Sequence, residues 1–377
     1  MIEPGSTIGI FGSGQLGRMF AMEAARMGYK VVTYSPHEIS PAGRFASAEI
    51  VADYKDLLRV EEFARSVDVV TFEFENIPIE TIEAAAGFVD VHPNGEILHT
   101  TQNRLREKAF LSKNGFPQAV FKHVQTKEDL INATQELGFP GVLKTVGFGY
   151  DGKGQQLIKS LEDIEVAFAT GDLRECVFEE FVDFEKEVSV VCARDEKGNF
   201  ADYGVIENQH SKHILDISFA PGIVSDAVRI EAFEIARGIA EKFGYVGVLC
   251  VEFFVQQNNR LLVNEIAPRP HNSGHVTFET SCITSQFEQQ LRAICGIPLG
   301  STEFLQPASI ANLLGDIWLE NSPRWNEALK ESSVKLHLYG KREARASRKM
   351  GHLSAIGKTS EDARKIVKAA RAAAIQT

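Results

Sequence analysis

Strands and helices alternate almost without interruption over the first part of this chain, and that alternation restricts its fold more than any other feature. TIGIFG reads as an apolar strand and QLGRMFAMEAARMG as an amphipathic helix. KVVTYS, EIVAD and VDVVTFEF follow as strands, with DLLRVEEFARS and PIETIEAAAG as helices. Such a succession predicts an α/β unit on a parallel, doubly wound sheet, whose ligands lie at the carboxyl ends of the strands. The first turn at that end, in IGIFGSGQLGRMF, carries Gly12-x-Gly14-x-x-Gly17, the spacing of a dinucleotide-binding turn. An NAD site also needs an acid near the end of the second strand to grip the ribose. Here that strand ends Thr33-Tyr34-Ser35-Pro36, and Glu38 comes only after a proline and a histidine. The turn is therefore expected to offer backbone N–H groups at a helix N-terminus to a phosphate rather than to hold NAD. A tight turn that needs glycine only for packing is the alternative.

A chain of 377 residues is too long for one ordinary core and suits two or three domains. No segment approaches the roughly eighteen unbroken apolar residues of a membrane span, and MIEPGSTIGIFG lacks the basic stretch and cleavage site of a signal peptide. Cys176, Cys192, Cys250, Cys282 and Cys295 are scattered, with no CxxC pair, which is expected of reduced thiols in a cytoplasmic protein. A net charge of −11 argues against a nucleic-acid partner.

The character of the sequence changes near Asn103. TQNRLREKAFLSKNGF predicts a helix ending at Gly115, and KEDLINATQELG another. GVLKT and QQLIKS predict a hairpin whose tip is the glycine-rich GFGYDGKGQ. ECVFEEFV and EKEVSVVCARD read as strands and AVRIEAFEIARGIAEKFG as a long helix. YVGVLCVEFFVQ and NRLLVNEIAP predict a second hairpin around QQNN, followed by the helix SQFEQQLRAICG. Beyond residue 300 come the strands ASIANLLG and VKLHLYG and a closing helix, EDARKIVKAARAAA. These changes suggest domains at 1–102, 103–300 (with a small lid at about 118–182) and 301–377.

Several clusters carry chemistry. The loop after Lys144 holds Gly147, Gly149, Gly152 and Gly154 with Lys153, so its amides can wrap an anion. It is not a Walker loop, and an ordinary flexible hairpin tip is the alternative. Glu252 and Glu265 lie in otherwise apolar strands, where two acids are costly to bury without a cation or hydrogen bonds; with phosphate oxygens they make a Mg²⁺ site. Arg269-Pro-His271-Asn272-Ser273-Gly274-His275 follows at once and reads as a substrate loop. YGKREARASRKMGH carries Lys341, Arg342, Arg345, Arg348 and Lys349, either a solvated face or a phosphate site.

Lys144 with GYDGKGQ, then EEFVDFEKEVS, then VEFF…VNEIAPRPHNSGH, resembles the ATP-grasp superfamily in order and spacing. Within it the chain resembles the 5-(carboxyamino)imidazole ribonucleotide synthase family over nearly its whole length, from GSGQLGRM through FEFENI to RKMGH. The resemblance implies an ATP-grasp fold with a doubly wound domain before it and a small domain after it. It implies a ligase that uses ATP, bicarbonate and Mg²⁺, and neither NAD nor biotin, to carboxylate 5-aminoimidazole ribonucleotide through carboxyphosphate. A homodimer is the expected assembly. Around ATP it implies Arg104, Lys144, the loop Gly149, Tyr150, Asp151, Gly152, Lys153, Gly154 and Gln155, then Glu179, Glu180, Phe181 and Val182, Glu187 and His210. Asn264 and Glu265, with Glu252, would serve the metal and the phosphates. Around the ribonucleotide it implies Gln15, Leu16, Glu73, Asn76, Tyr150, Asp151, Lys153, Arg269, His271, Asn272 and Ser273, with Lys341 and Arg348 on the phosphate. Arg269 would hold bicarbonate and its phosphorylated form; His271, Asp151 and Lys153 are the candidates for orienting the amine or moving its proton. Phe148 stands where the family loop has glycine, so loop closure is expected to differ in detail. Other ATP-grasp ligases, such as formate-dependent glycinamide ribonucleotide transformylase or biotin carboxylase, share the core chemistry. An NAD(P) oxidoreductase, or a binding protein that kept the fold without turnover, are the readings from other classes.

Overall fold

A computed structural model describes residues 1–147, 154–169, 175–279, 281–320 and 322–375. The expected parallel sheet is present. Its strands run Ala48–Val51, Lys30–Ser35, Thr7–Phe11 and Val69–Phe72 across the sheet, all parallel. The apolar side chains that made these strands legible fill one core, in which Phe11, Tyr34, Phe63 and Phe72 pack together. On the other face the helix Gln15–Arg26 buries Leu16, Met19, Phe20 and Ala24 at helical spacing, against Phe287 and Leu291 of the helix Gln286–Ile294.

The helix expected to end at Gly115 spans Arg104–Lys113, started by Asn103, whose side chain accepts from the N–H groups of Leu105 and Arg106. A small antiparallel sheet follows, in the order Phe121–Val124, Cys176–Glu180, Gly141–Thr145, Gln155–Ile158. Lys144 pairs with Gln155 across the expected hairpin. The helices Lys127–Leu137 and Leu161–Ala169 share a core with it through Leu130, Leu143, Ile164 and Phe178.

The largest sheet has eight antiparallel strands: Leu261–Ala267, Gly247–Val255, Lys186–Arg194, Phe200–Ser211, Ile214–Ala220, Ala308–Leu314, Lys349–Ile356 and Val334–Leu338. It runs without a break across residue 300, because Ile217 to Ala220 pair directly with Ala311 to Ala308. The long helix Asp226–Lys242 covers one end and the closing helix Ser360–Ile375 the other. Among the described residues, no helix is long and apolar enough to cross a membrane.

Candidate functional site

The site begins at the carboxyl ends of the parallel strands. Glu73 follows the strand Val69–Phe72 and turns its carboxylate into the glycine turn. It accepts from Gly14 N–H at 2.7 Å and from Gly17 N–H at 3.2 Å. A Cβ on Gly12 or Gly14 would come within 3 Å of the Glu73 side chain, so glycine here makes room for that acid. Two of the turn's amides, those of Gly14 and Gly17, thus hold the chain's own carboxylate. Burial pushes the Glu73 carboxyl up, against the pull of the two N–H groups and of the Arg269 and Lys341 charges. Gln15 and Leu16 open the adjoining helix, Leu16 facing its core, and Asn76 lies in the loop beyond Glu73.

Two residues further on, Glu75 forms a two-pronged pair with Arg269. The Arg269 Nη2 donates to Oε1 at 2.9 Å and Nε donates to Oε2. This pair joins the parallel sheet to the substrate loop. Burial works against the Glu75 carboxylate, but the Arg269 charge outweighs it and holds the group below its usual range.

The two acids of the second hairpin are directly opposed, Glu252 facing Glu265 in the antiparallel register. Phe253 then pairs with Val263, so Asn264 is the extra residue of a bulge beside the two carboxylates. Burial and the Glu252 charge push the Glu265 carboxyl up, while Arg104 pulls it down. Glu107 adds a third acid, accepting from Ile266 N–H at 3.2 Å. Burial and the Glu265 charge push its carboxyl up as well. Glu252 goes the other way: burial opposes its charge, but the His271 ring outweighs burial and holds the carboxyl down at about 2, so the repulsion falls on Glu265 and Glu107. Among the described residues no three His, Cys, Asp or Glu side chains form a self-sufficient metal site. The donor set therefore fits a cation that takes one or two carboxylates and completes its shell with phosphate oxygens and water, as Mg²⁺ does.

The substrate loop is held from below. Gln286 clamps it by donating from Nε2 to the His271 carbonyl at 2.8 Å and accepting from His271 N–H at 2.9 Å. A Cβ on Gly274 would overlap the Gln286 amide, which explains that glycine. Ser273 sits at the top of a buried chain: its hydroxyl is 2.8 Å from Ser189 Oγ, which accepts from Asn208 Nδ2 at 3.0 Å, whose Oδ1 accepts from Ser218 Oγ at 2.8 Å. The ring of His271 bridges Ser273 Oγ at 2.9 Å and Glu252 Oε1 at 2.9 Å. Asn272 Oδ1 is buried and has no hydrogen-bond partner among the described residues, an acceptor left for a ligand.

Burial would lower the His271 pKa, but the Cys250 sulfur and the Glu252 carboxylate outweigh it and push the ring up to about 10. A group raised in the folded state stabilises the fold fully below its unfolded pKa and loses that contribution as pH rises through the folded value. The stabilisation from protonated His271 is therefore expected to be complete below about pH 6.5 and lost as pH climbs through about 10. Urea unfolding of wild type and His271→Gln across that range checks this: the gap between them should narrow with rising pH. A gap that widens with pH would show a neutral ring.

On the small sheet, Glu179 lies between two lysines, 2.9 Å from Lys144 Nζ and 3.2 Å from Lys108 Nζ. Burial opposes its charge, but the two ammonium groups hold the carboxyl down at about 2. Arg104 donates from Nε to the Thr145 carbonyl at 3.1 Å and from N–H to the Val146 carbonyl at 2.8 Å, which fixes it beside the Lys144 strand. The Glu180 carboxylate accepts from Val120 N–H, Phe181 is exposed and Val182 buried. Glu187 pairs with His210 Nδ1 at 2.7 Å, and Gln155 Nε2 lies 3.3 Å from His213 Nδ1. Gly154 takes a positive φ of 72° at the start of the return strand. The readings placed on Phe148, Gly149, Tyr150, Asp151, Gly152 and Lys153 lie outside the described residues. In the basic segment, Lys341 Nζ donates to the Lys349 carbonyl, and Arg348 Nη1 to the Glu343 carbonyl at 2.9 Å.

Sequence reasoning missed Glu75, Glu107, Lys108 and Gln286. Glu75 lay inside the quoted FEFEN and Gln286 inside SQFEQQLRAICG, but their partners are far away in the chain.

An opposed pair of acids on a hairpin, a lysine-bearing sheet facing it and a preceding parallel sheet define a nucleotide-dependent ligase of the ATP-grasp type. The ribonucleotide synthetase preATP-grasp domain family matches residues 5–102, the ATP-grasp domain family residues 109–287, and the phosphoribosylaminoimidazole carboxylase C-terminal domain family residues 308–366. The N5-carboxyaminoimidazole ribonucleotide synthase of Brucella melitensis is 45% identical over 361 residues, covering 94% of this chain and 97% of that protein. The Staphylococcus aureus N5-carboxyaminoimidazole synthetase, solved with ADP, superimposes with a TM-score of 0.92 at 36% identity over 98% of both chains. The Aspergillus clavatus enzyme, solved with ADP and 5-aminoimidazole ribonucleotide, gives 0.88 at 30% identity over 97% of both. The chain belongs to the N5-carboxyaminoimidazole ribonucleotide synthase family.

Proposed function

We propose that this chain carboxylates the exocyclic amine of 5-aminoimidazole ribonucleotide, using ATP and bicarbonate and releasing ADP and phosphate. The observation that carries the reading is the opposed Glu252–Glu265 pair lying beside the clamped loop of Arg269, His271, Asn272 and Ser273.

Bicarbonate is a poor electrophile, and attack of its oxygen on the γ-phosphorus of ATP makes carboxyphosphate. Such a transfer depends on positioning and on neutralised charge. Glu252 and Glu265, with Asn264 on the bulge, would hold Mg²⁺, which when bound neutralises charge on the transferred phosphoryl group. Lys144, held by Glu179, and Arg104 add fixed positive charge on the nucleotide side. Glu180 to Val182 would meet the adenine through their backbone, and Glu187 the ribose, with His210 fixing that carboxylate. Arg269, locked by Glu75, would hold bicarbonate and the acyl phosphate. His271, protonated at neutral pH and braced by Ser273, would orient the amine, and Asn272 Oδ1 would accept one of its hydrogens. The glycine-rich loop would close over the acyl phosphate and keep water out. Lys341 and Arg348 are assigned to the substrate phosphate. Domains at 1–102, 103–300 and 301–377, a homodimer and a cytoplasmic setting belong to the same proposal.

The test is ADP release with bicarbonate, measured with and without 5-aminoimidazole ribonucleotide. A strong dependence on the ribonucleotide is expected, with the carbamate as product. Release that ignores it, or that requires formate and glycinamide ribonucleotide instead, would move the chain to another ATP-grasp activity.

A further inference from the structure

Two arginines outside the residues assigned above converge on the same point. Arg18 lies one turn into the helix Gln15–Arg26, three residues past Gln15 and so on the same face. Arg44 lies in the segment between the strands Lys30–Ser35 and Ala48–Val51. A Cβ on Gly340 would lie 3.2 Å from Arg44 Nη1 and 3.4 Å from Arg18 Nη1, so both guanidinium ends flank that glycine, next to Lys341. Gly340 has a φ of +75°, a conformation that suits glycine, and its missing side chain leaves both arginines room.

The pair has no counter-charge. Among the described residues neither Arg18 nor Arg44 makes an ion pair or a hydrogen bond; Arg18 is held instead by the Phe45 ring, 4.2 Å from its guanidinium carbon. Glu73 at the glycine turn is already taken by Gly14 and Gly17, and Glu49, beside Gly43, accepts from Ser40. Burial and the Arg44 charge both lower the pKa of Arg18, as expected when like charges meet without an anion between them. Planar guanidinium forks match phosphate geometry. The point they flank adjoins Lys341, whose charge also reaches Glu73 at the glycine turn.

We infer that Arg18 and Arg44 form, with the Gly340–Lys341 turn, a subsite for the phosphomonoester of the mononucleotide substrate. The inference rests on the function proposed above and adds to it. The glycine turn contributes its helix face rather than its amides, and the guanidinium contacts come from the N-terminal sheet as well as from the basic segment.

The experiment uses the full chain with Arg18→Gln and Arg44→Gln made singly. Steady-state kinetics should show the KM for 5-aminoimidazole ribonucleotide rising about ten- to hundredfold in each, the range for one charge-assisted bond, with the KM for ATP unchanged. The dephosphorylated riboside, used as a competitive inhibitor, should bind wild type and both variants alike. Arg18→Lys should recover part of the loss by returning the charge. An unchanged ribonucleotide KM in both variants would overturn the subsite. So would a riboside inhibition constant that rises in step with that KM, because it would mean general damage to the site. If wild type shows no ribonucleotide-dependent ADP release, the proposed function itself has failed. If wild type turns over and only the variants fail to respond, the function stands and the subsite does not.

Discussion

Glu265→Gln is expected to lower ADP formation by about 10²- to 10³-fold, the scale for losing one preorganised electrostatic partner of a transition state. The melting temperature should stay level or rise slightly. Glu265 faces Glu252 across the hairpin, and burial with that neighbour's charge pushes its carboxyl up. Glutamine keeps the shape of the side chain and removes the repulsion, so folding loses nothing. Turnover is different, because the proposed mechanism needs both carboxylates charged around a cation. An ADP assay at several Mg²⁺ concentrations, paired with calorimetry, separates the two effects. Near-normal ADP production with ordinary Mg²⁺ dependence would remove Glu265 from the metal site, and a large fall in melting temperature would make it a structural acid.

Arg269→Met should abolish turnover and also cost stability, roughly 3 kcal/mol, the lower end of the range for breaking a buried ion pair. The lower end applies because Glu75 keeps 24% of its side-chain surface exposed and can draw in water. The cost is that of an uncompensated Glu75 rather than of lost packing. Adding Glu75→Leu to Arg269→Met should therefore restore most of the stability and none of the activity. Denaturant titration and ADP release on the single and double variants give the comparison. Stability that falls further in the double variant would show that the pair acts through shape rather than charge.

The parts of this fold that were legible are those where a local pattern had a local cause. The parallel sheet showed in its apolar strands and helical spacing. The Glu252–Glu265 hairpin showed because two acids interrupt apolar strands a few residues from a polar turn. The strand Phe200–Ser211 did not show. It has Gly204 at a positive φ of 67° in its interior, a register shift near it, and two buried polar residues: Asn208, which bonds to Ser189 and Ser218 on the neighbouring strands, and Glu207, which accepts from Ile223 N–H in the loop beyond Ala220. The strand Lys349–Ile356 began inside the basic segment and was masked by its charge. Long-range pairs were beyond reach for another reason. Glu75 and Arg269 are 194 residues apart, and nothing near either one names the other. The same holds for the chain from Ser218 to Ser273, whose members are ordinary polar residues until the sheet stacks them. The glycine turn was read for its N–H groups, but its spacing announces an acceptor without saying that Glu73 would meet two of them.

That self-supplied acceptor has a consequence for how the fold can change. Glu73 is tethered, so it competes for the turn at an effective concentration that a free dinucleotide would have to exceed. Placing an acid at the end of the second strand would thus not be enough to recruit NAD. The internal ligand would have to leave first, and with it the anchor that keeps the loop of Glu73 and Glu75 against the helix. The turn of this doubly wound unit is therefore held by an intramolecular plug, and an evolutionary route to a different cofactor would begin by loosening the loop of Glu73 and Glu75.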